Sequence, residues 1–364
     1  MKRGLWIAVG VVIIVIILAV LFSTVWKPEQ EEVIKIGAVL PLSGPGSFFG
    51  EETMKGMELC NEEANLTIIY EDSQTNPSVG VSAFQKLVDV DKINIVITAF
   101  SSISNAIVPV AKEKNVPIIM TLVSAEEVAK KGGELVFRYF TSGEQEAPII
   151  ANYAIKNLKL KNFAIIYLND EYGQSYRNAF KNEVEKLGGA LVEEQTFLRG
   201  DTDFRTQLTK IKFNNPDAIY IIGYNTHIIN VIKQIKELEI DATILTNWIL
   251  ASPDVRKGNE EILEGIYLTT PSFYFSNKTS IKQFKEKFAE KYGKEPSAYA
   301  AIGCDIVNLL KKYQNPDISK LISNLKNIKD YEGVMGTLNS DVFGEIRVDL
   351  YPAKIENRSM VVLR

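Results

Sequence analysis

Runs of β-branched and aliphatic residues alternate along this chain with stretches of helical apolar spacing, and that alternation limits the fold more than any other feature. Val33–Leu40 reads as a strand, followed by a loop over Pro41–Gly50 and a helix over Glu51–Glu63. The strand Leu66–Glu71, a helix over Ser78–Val90, the strand Ile93–Ala99, a helix ending at Lys114 and the strand Val116–Leu122 continue the series. A βα unit repeated in this way gives a parallel sheet with helices on both faces and right-handed crossovers. The series restarts after Thr141-Ser142-Gly143, with strands over Asn162–Leu168, Ala190–Thr196, Ala218–Ile222 and Thr243–Leu245. Helices over Glu144–Asn157, Tyr176–Leu187, Phe204–Ile211 and His227–Leu238 separate them. Two such series predict an α/β protein of two Rossmann-like lobes, with a cleft between the loops at the carboxyl ends of their strands. Glycine and proline mark crossings at Thr141–Gly143 and Thr269-Thr270-Pro271, and the helical stretches Ile281–Tyr292 and Ala298–Tyr313 must pack back on one lobe.

The amino terminus is different in kind. From Leu5 to Trp26 no residue is charged, which is long enough for a helix to cross a bilayer core. Lys2 and Arg3 precede the run, so the positive-inside rule puts the start in the cytoplasm and the body outside the cell. A cleavable signal would have a shorter apolar region ending in small residues, and Leu21-Phe22-Ser23-Thr24 does not match it. The expectation is a transmembrane helix retained as a membrane anchor over residues 1–26, with a polar tether over 27–32. The net charge of −4 and the lack of any basic block exclude a general nucleic-acid binder. Cys60 and Cys304 permit one disulfide, but each lies in a helix-like apolar pattern where a buried free thiol is the commoner state.

One stretch stands out as a site. Ile95–Phe100 is a buried-strand run that ends in Ser101-Ser102 and then becomes helical. A helix N-terminus at a strand's carboxyl end offers free N–H groups and partial positive charge to an anion, and Ser101 would sit there. The plainer alternative is that Ser101 or Ser102 caps the helix. Other readings fall away. The Gly44–Gly50 loop lacks dinucleotide spacing, and Pro45 with Phe48-Phe49 would crowd a pyrophosphate. The single histidine, His227, has no partner for a metal or a triad, and Asp72 and Asp170 suit loop capping better than acid catalysis. No cofactor, metal or enzyme activity is expected.

The ordered set of motifs resembles the extracytoplasmic Leu/Ile/Val-binding protein family, the type I solute-binding proteins of branched-chain amino acid ABC transporters. Ile34-Lys35-Ile36-Gly37, Pro41-Leu42-Ser43-Gly44 and Phe49-Gly50 match its opening, and Tyr70-Glu71-Asp72 with Asn76-Pro77 its second strand. Phe100-Ser101-Ser102, Asn115–Ile119, Asp170-Glu171-Tyr172-Gly173 and Tyr331–Gly336 with Asp341 and Gly344 continue the match to the end of the chain. The resemblance implies two lobes joined by three crossings, the third near Glu345–Val348, that close over a small ligand as a hinged trap. It divides the body into 33–141 with 272–346 and 142–271 with 347–364. It implies a small carboxylate or amino-acid ligand, ABC permease subunits as partners and no covalent chemistry. A membrane-anchored ligand-sensing ectodomain uncoupled from transport is the alternative.

Carried over residue by residue, Ser101 falls on the family's carboxylate-binding serine. Ser124, with the backbone near Leu122, falls on positions contacting the amino-acid head. Tyr172 and Tyr224 fall on tyrosines closing from the second lobe, and Phe49 on an aromatic of the first loop. One departure concerns the carboxylate that takes the ligand ammonium, because Trp248 stands at or next to its position. A buried ammonium needs a countercharge, so either Asp170 or Glu171 substitutes or the ligand lacks an ammonium.

Overall fold

The computed structural model describes residues 34–363 apart from 316 and 342. The expected anchor and tether lie outside the described residues. Among those described, no helix is long and apolar enough to cross a membrane.

The chain runs β1 (Lys35–Leu40), α1 (Ser47–Ala64), β2 (Thr67–Asp72), α2 (Pro77–Asp89), β3 (Ile95–Ala99), α3 (Ser101–Glu113), β4 (Ile118–Thr121), α4 (Glu126–Gly132) and β5 (Val136–Tyr139). It continues as α5 (Gly143–Lys156), β6 (Asn162–Leu168), α6 (Glu171–Lys186), β7 (Ala190–Phe197), α7 (Arg205–Phe213), β8 (Ala218–Ile222), α8 (Asn225–Glu237) and β9 (Thr243–Thr246). Then come α9 (Pro253–Arg256), β10 (Tyr267–Pro271), α10 (Thr279–Tyr292), α11 (Ala298–Tyr313) and α12 (Ile318–Lys326). Short strands β11 (Tyr331–Glu332), β12 (Thr337–Leu338) and β13 (Glu345–Ile346) lead to β14 (Leu350–Glu356) and β15 (Ser359–Val362).

Local signals set several of these boundaries. Asn76 accepts from the Ser78 and Val79 N–H groups with Pro77 at the first helical position, and Asp170 accepts from Gly173 N–H to start α6. That cap begins α6 at Glu171, earlier than the apolar spacing predicts, because its polar first turn shows no amphipathic signal. α1 likewise starts at Ser47, so Phe49 stands on a helix rather than in a loop.

Two sheets result. The first has the order β13-β5-β4-β3-β1-β2 and is parallel throughout, as in the register Ile97↔Ile119 between β3 and β4. Its central strand β3 is buried at every residue, as a strand covered on both faces must be. The second has the order β15-β14-β10-β9-β8-β6-β7 and departs from the fully parallel expectation. β14 pairs antiparallel with β10, Pro271 opposite Leu350, and β15 hairpins back on β14. The reason is directional: the chain leaves β13 at the carboxyl edge of the first sheet and enters the second sheet at its carboxyl edge after three residues, so it must run against β10. The chain passes between the sheets after β5, after β10 and after β13.

The cysteines correct the free-thiol expectation. Cys60 on α1 and Cys304 on α11 form a disulfide, with Cα atoms 5.2 Å apart. Their helices meet at near backbone contact because Gly56 and Gly303 carry no side chain. A Cβ at Gly56 would lie 1.8 Å from the Ala300 carbonyl oxygen, and one at Gly303 would lie 2.1 Å from that of Thr53. Apolar spacing reports that each cysteine faces inward, but not that the two helices touch there.

Candidate functional site

In both sheets the strand order reverses beside the first strand of the series, between β1 and β3 and between β6 and β8. Such reversals leave a crevice at the carboxyl ends of the strands. Residues at those ends line one cavity. All seven candidates, Phe49, Ser101, Leu122, Ser124, Tyr172, Tyr224 and Trp248, stand on it. Phe100, Ser102, Phe140, Asp170, Tyr176, Asn247, Ile249 and Tyr299 complete the lining.

The first sheet supplies a polar wall. α3 has no side-chain cap, and its first backward hydrogen bond is from Ser104 N–H to the Phe100 carbonyl. The N–H groups of Ser101, Ser102 and Ile103 are therefore the orphan donors of that helix start. Neither serine caps it. Ser101 Oγ accepts from Ala125 N–H at 3.3 Å, and Ser102 Oγ accepts from Arg199 Nη2 at 3.0 Å. Ser124 is buried and its hydroxyl has no hydrogen-bond partner among the described residues, an exception to the rule that buried polar groups are paired. Phe100 and Leu122, which lead into these serines, have φ of +69° and +56°. Bulky side chains rarely adopt that region, and such strain is held where the surrounding structure fixes it.

The other wall is aromatic and polar beneath. Tyr224 stacks on Phe100 at 5.2 Å between centroids and on Tyr172 at 6.3 Å, so its ring lies between residues of both sheets. The Tyr172 hydroxyl donates to the Gly223 carbonyl at 3.3 Å and accepts from Asn247 Nδ2 at 2.7 Å. Trp248 stacks on Tyr299 at 4.9 Å, and its ring N–H donates to Thr141 Oγ1 at 3.1 Å. Its backbone N–H donates to Glu146 Oε1 at 2.9 Å, and the Thr269 and Tyr176 hydroxyls also donate to that carboxylate. Burial nonetheless pushes the Glu146 carboxyl up to about 7.

The two candidate countercharges separate. Asp170 lines the cavity, accepting from Gly173 N–H at 3.0 Å and facing Arg199 at 3.4 Å. Burial raises its carboxyl to about 6 against the pull of those donors. Glu171 does not line the cavity; it accepts from Asn105 Nδ2 at 2.9 Å. His227 accepts from Tyr224 N–H through Nδ1, a capping role at the start of α8.

The halves are joined above the cavity. Arg199, in the loop after β7, donates to the Thr75 carbonyl and to Ser102, while Ser175 Oγ donates to the Ser124 carbonyl at 3.1 Å. Arg199, Glu146 and Tyr299 were not legible in the sequence. Arg199 is one cation in a polar loop, Glu146 reads as an ordinary acid in a first helical turn, and Tyr299 reads as one more apolar helix residue. The cavity measures about 30 Å³, room for roughly two water molecules.

This geometry is that of a solute-binding protein, with two Rossmann-like halves meeting at their carboxyl edges around a lined cavity. A family model described as periplasmic binding protein matches residues 33–358, and the chain belongs to that family. The chain is 26% identical to Leu/Ile/Val-binding protein homolog 3 of Brucella melitensis, over 86% of this chain and 88% of the relative. Among solved structures it resembles the leucine binding protein LivK of Thermotoga maritima, at 26% identity and a TM-score of 0.82, covering 91% of this chain and 98% of that one. It also resembles the branched-chain amino acid transporter substrate binding protein LivJ of Streptococcus pneumoniae in complex with isoleucine. There the identity is 25% and the TM-score 0.81, over 91% of this chain and 99% of that one.

Proposed function

We propose that this protein is the extracytoplasmic substrate-binding component of an ABC transporter and captures a small apolar amino acid or related carboxylate by closing two hinged lobes over it. The observation that carries this reading is the polar wall. The uncapped start of α3 and the unpartnered Ser124 hydroxyl both line a cavity whose other lining is mostly aromatic. A carboxylate is the group that accepts from such donors. Asp170, the one carboxylate lining the cavity among the described residues, supplies the countercharge for an ammonium. Phe49, Tyr224, Trp248 and Tyr299 enclose the apolar body. The relatives support this choice, being named for leucine, isoleucine and valine, and one solved neighbour holds isoleucine.

A cavity of about 30 Å³ does not admit an amino acid, so capture requires the halves to part and the Arg199 and Ser175 bonds to break and re-form. The moving units in this reading are 33–141 with 272–346 and 142–271 with 347–364. The uncharged run of residues 5–26 anchors the body to the membrane, and permease subunits receive the closed form. Disulfides persist in oxidising compartments, so the Cys60–Cys304 bond supports an extracytoplasmic body. The cycle is binding and release, with no covalent step.

Thermal unfolding of the full-length chain with leucine, isoleucine, valine and benzoate tests the assignment. A ligand at 100 times its dissociation constant stabilises by about 2.7 kcal/mol. At least one of the three amino acids raises the midpoint, and Asp170→Asn abolishes the rise. Amino acids without effect would overturn the ligand class, and a rise with benzoate alone would remove Asp170 from its role.

A further inference from the structure

A second cavity, of about 360 Å³, shares no lining residue with the aromatic site. Arg256, at the end of α9, and Arg358, in the turn between β14 and β15, reach it from the second sheet. Lys285, on α10, reaches it from the helices that follow β10. Arg358 is paired, its Nη2 3.0 Å from Glu261. Arg256 and Lys285 are not: among the described residues no carboxylate stands within 4.0 Å of either. Arg256 Nε is buried with no hydrogen-bond partner among the described residues.

Elsewhere among the described residues, buried and half-buried cations are answered. Arg138 has Glu345 at 2.8 Å, Lys181 has Glu194 at 3.0 Å and Lys294 has Glu52 at 3.0 Å. Burial holds both Arg256 and Lys285 below their ordinary pKa, against the pull of Tyr274 and Glu260 on the first and of Glu295 on the second. Lys285 Nζ rests over the Phe273 ring at 4.7 Å and Glu295 also lines the cavity, but neither cation has the close acidic partner that makes burial of charge tolerable.

We propose that this second cavity binds a small soluble oxyanion, a phosphate or carboxylate group held between the Arg256 guanidinium and the Lys285 ammonium. A guanidinium presents paired N–H donors that match an oxyanion's edge, and the ammonium adds a point charge. The elements that supply the two cations lie on either side of the second crossing, so a bound anion joins them across it.

Inorganic phosphate is the probe. Thermal unfolding of the full-length chain is followed as phosphate replaces chloride at constant ionic strength, for the wild type and for Arg256→Gln, Lys285→Gln and Lys282→Gln. Lys282 is exposed on the same helix and controls for net charge. Phosphate's general salting effect raises all four proteins alike. The proposal predicts an additional saturable rise in wild type and Lys282→Gln, with apparent affinity at least tenfold weaker in Arg256→Gln and Lys285→Gln. Four identical responses would overturn it. Should Arg256→Gln not fold, Lys285→Gln and the charge-keeping Arg256→Lys decide: the first must lose the saturable rise and the second must retain it.

Discussion

Ser101 and Ser124 look alike in sequence but differ in what they already do. Ser101 Oγ accepts a hydrogen bond from Ala125 N–H, whereas Ser124 Oγ accepts none. Ser124→Ala removes no internal bond, so it should leave the unfolding midpoint unchanged while weakening ligand binding by roughly 1–3 kcal/mol. Ser101→Ala should lower both, and calorimetric titration beside thermal unfolding separates the two effects. Glu146 gives a pH prediction. Its folded carboxyl sits at about 7 against an ordinary 4.5, so between those values the folded state holds a proton that the unfolded chain has lost. Stability from this group is therefore greatest below about 4.5, falls as pH rises to about 7 and is flat above, by a few kcal/mol in all. Asp170 and Asp305, both raised to about 6, act in the same direction at lower pH, while His227, lowered by burial, acts in the opposite one. Glu146→Gln keeps an acceptor for Trp248 N–H, and subtracting its denaturation profile from wild type isolates the slope between pH 6 and 7. An unchanged slope there would show that Glu146 is ionised when folded.

At the scale of elements, strands read well and helix starts read poorly. β6 and β8 fall on the residues their apolar runs predict, because a buried parallel strand is a continuous signal. α6 begins earlier because Asp170 caps a turn of polar residues, which periodicity cannot see. The same limit hid the α1–α11 contact, whose cause is two glycines 247 residues apart in the sequence. The Cys60–Cys304 bond closes a loop with a sequence separation of 244. Reduction or Cys60→Ser should cost about 2–5 kcal/mol in denaturant unfolding, a loss absent only if the unfolded chain is not constrained by the link. The loop after β7 gives a further expectation. Arg199→Gln removes donors to Thr75 and Ser102 on the first-sheet side, so the ligand should bind roughly 1–3 kcal/mol more weakly, mainly through faster release. Stopped-flow dissociation rates check it, and an unchanged off-rate would mean that Arg199 does not hold the halves together.

For the whole molecule, the alternation of strand and helix was enough to predict two parallel sheets meeting at their carboxyl edges. The antiparallel closing pair was not visible, because its direction follows from where the chain leaves β13. The seven candidate residues, from Phe49 on α1 to Trp248 after β9, are scattered over 200 positions, and the fold gathers them on one cavity. The side chains behind them, Glu146 and Arg199, needed the folded chain to be seen. The central claim is that one ligand is held by both halves at once, and hydrogen–deuterium exchange on the full-length chain tests it most directly. On adding an amino acid that raises the unfolding midpoint, protection should rise together at 100–105 and 122–126 on one side and at 170–176, 223–227 and 247–250 on the other. Protection confined to segments of one sheet, or absent from all five, would contradict capture between the halves.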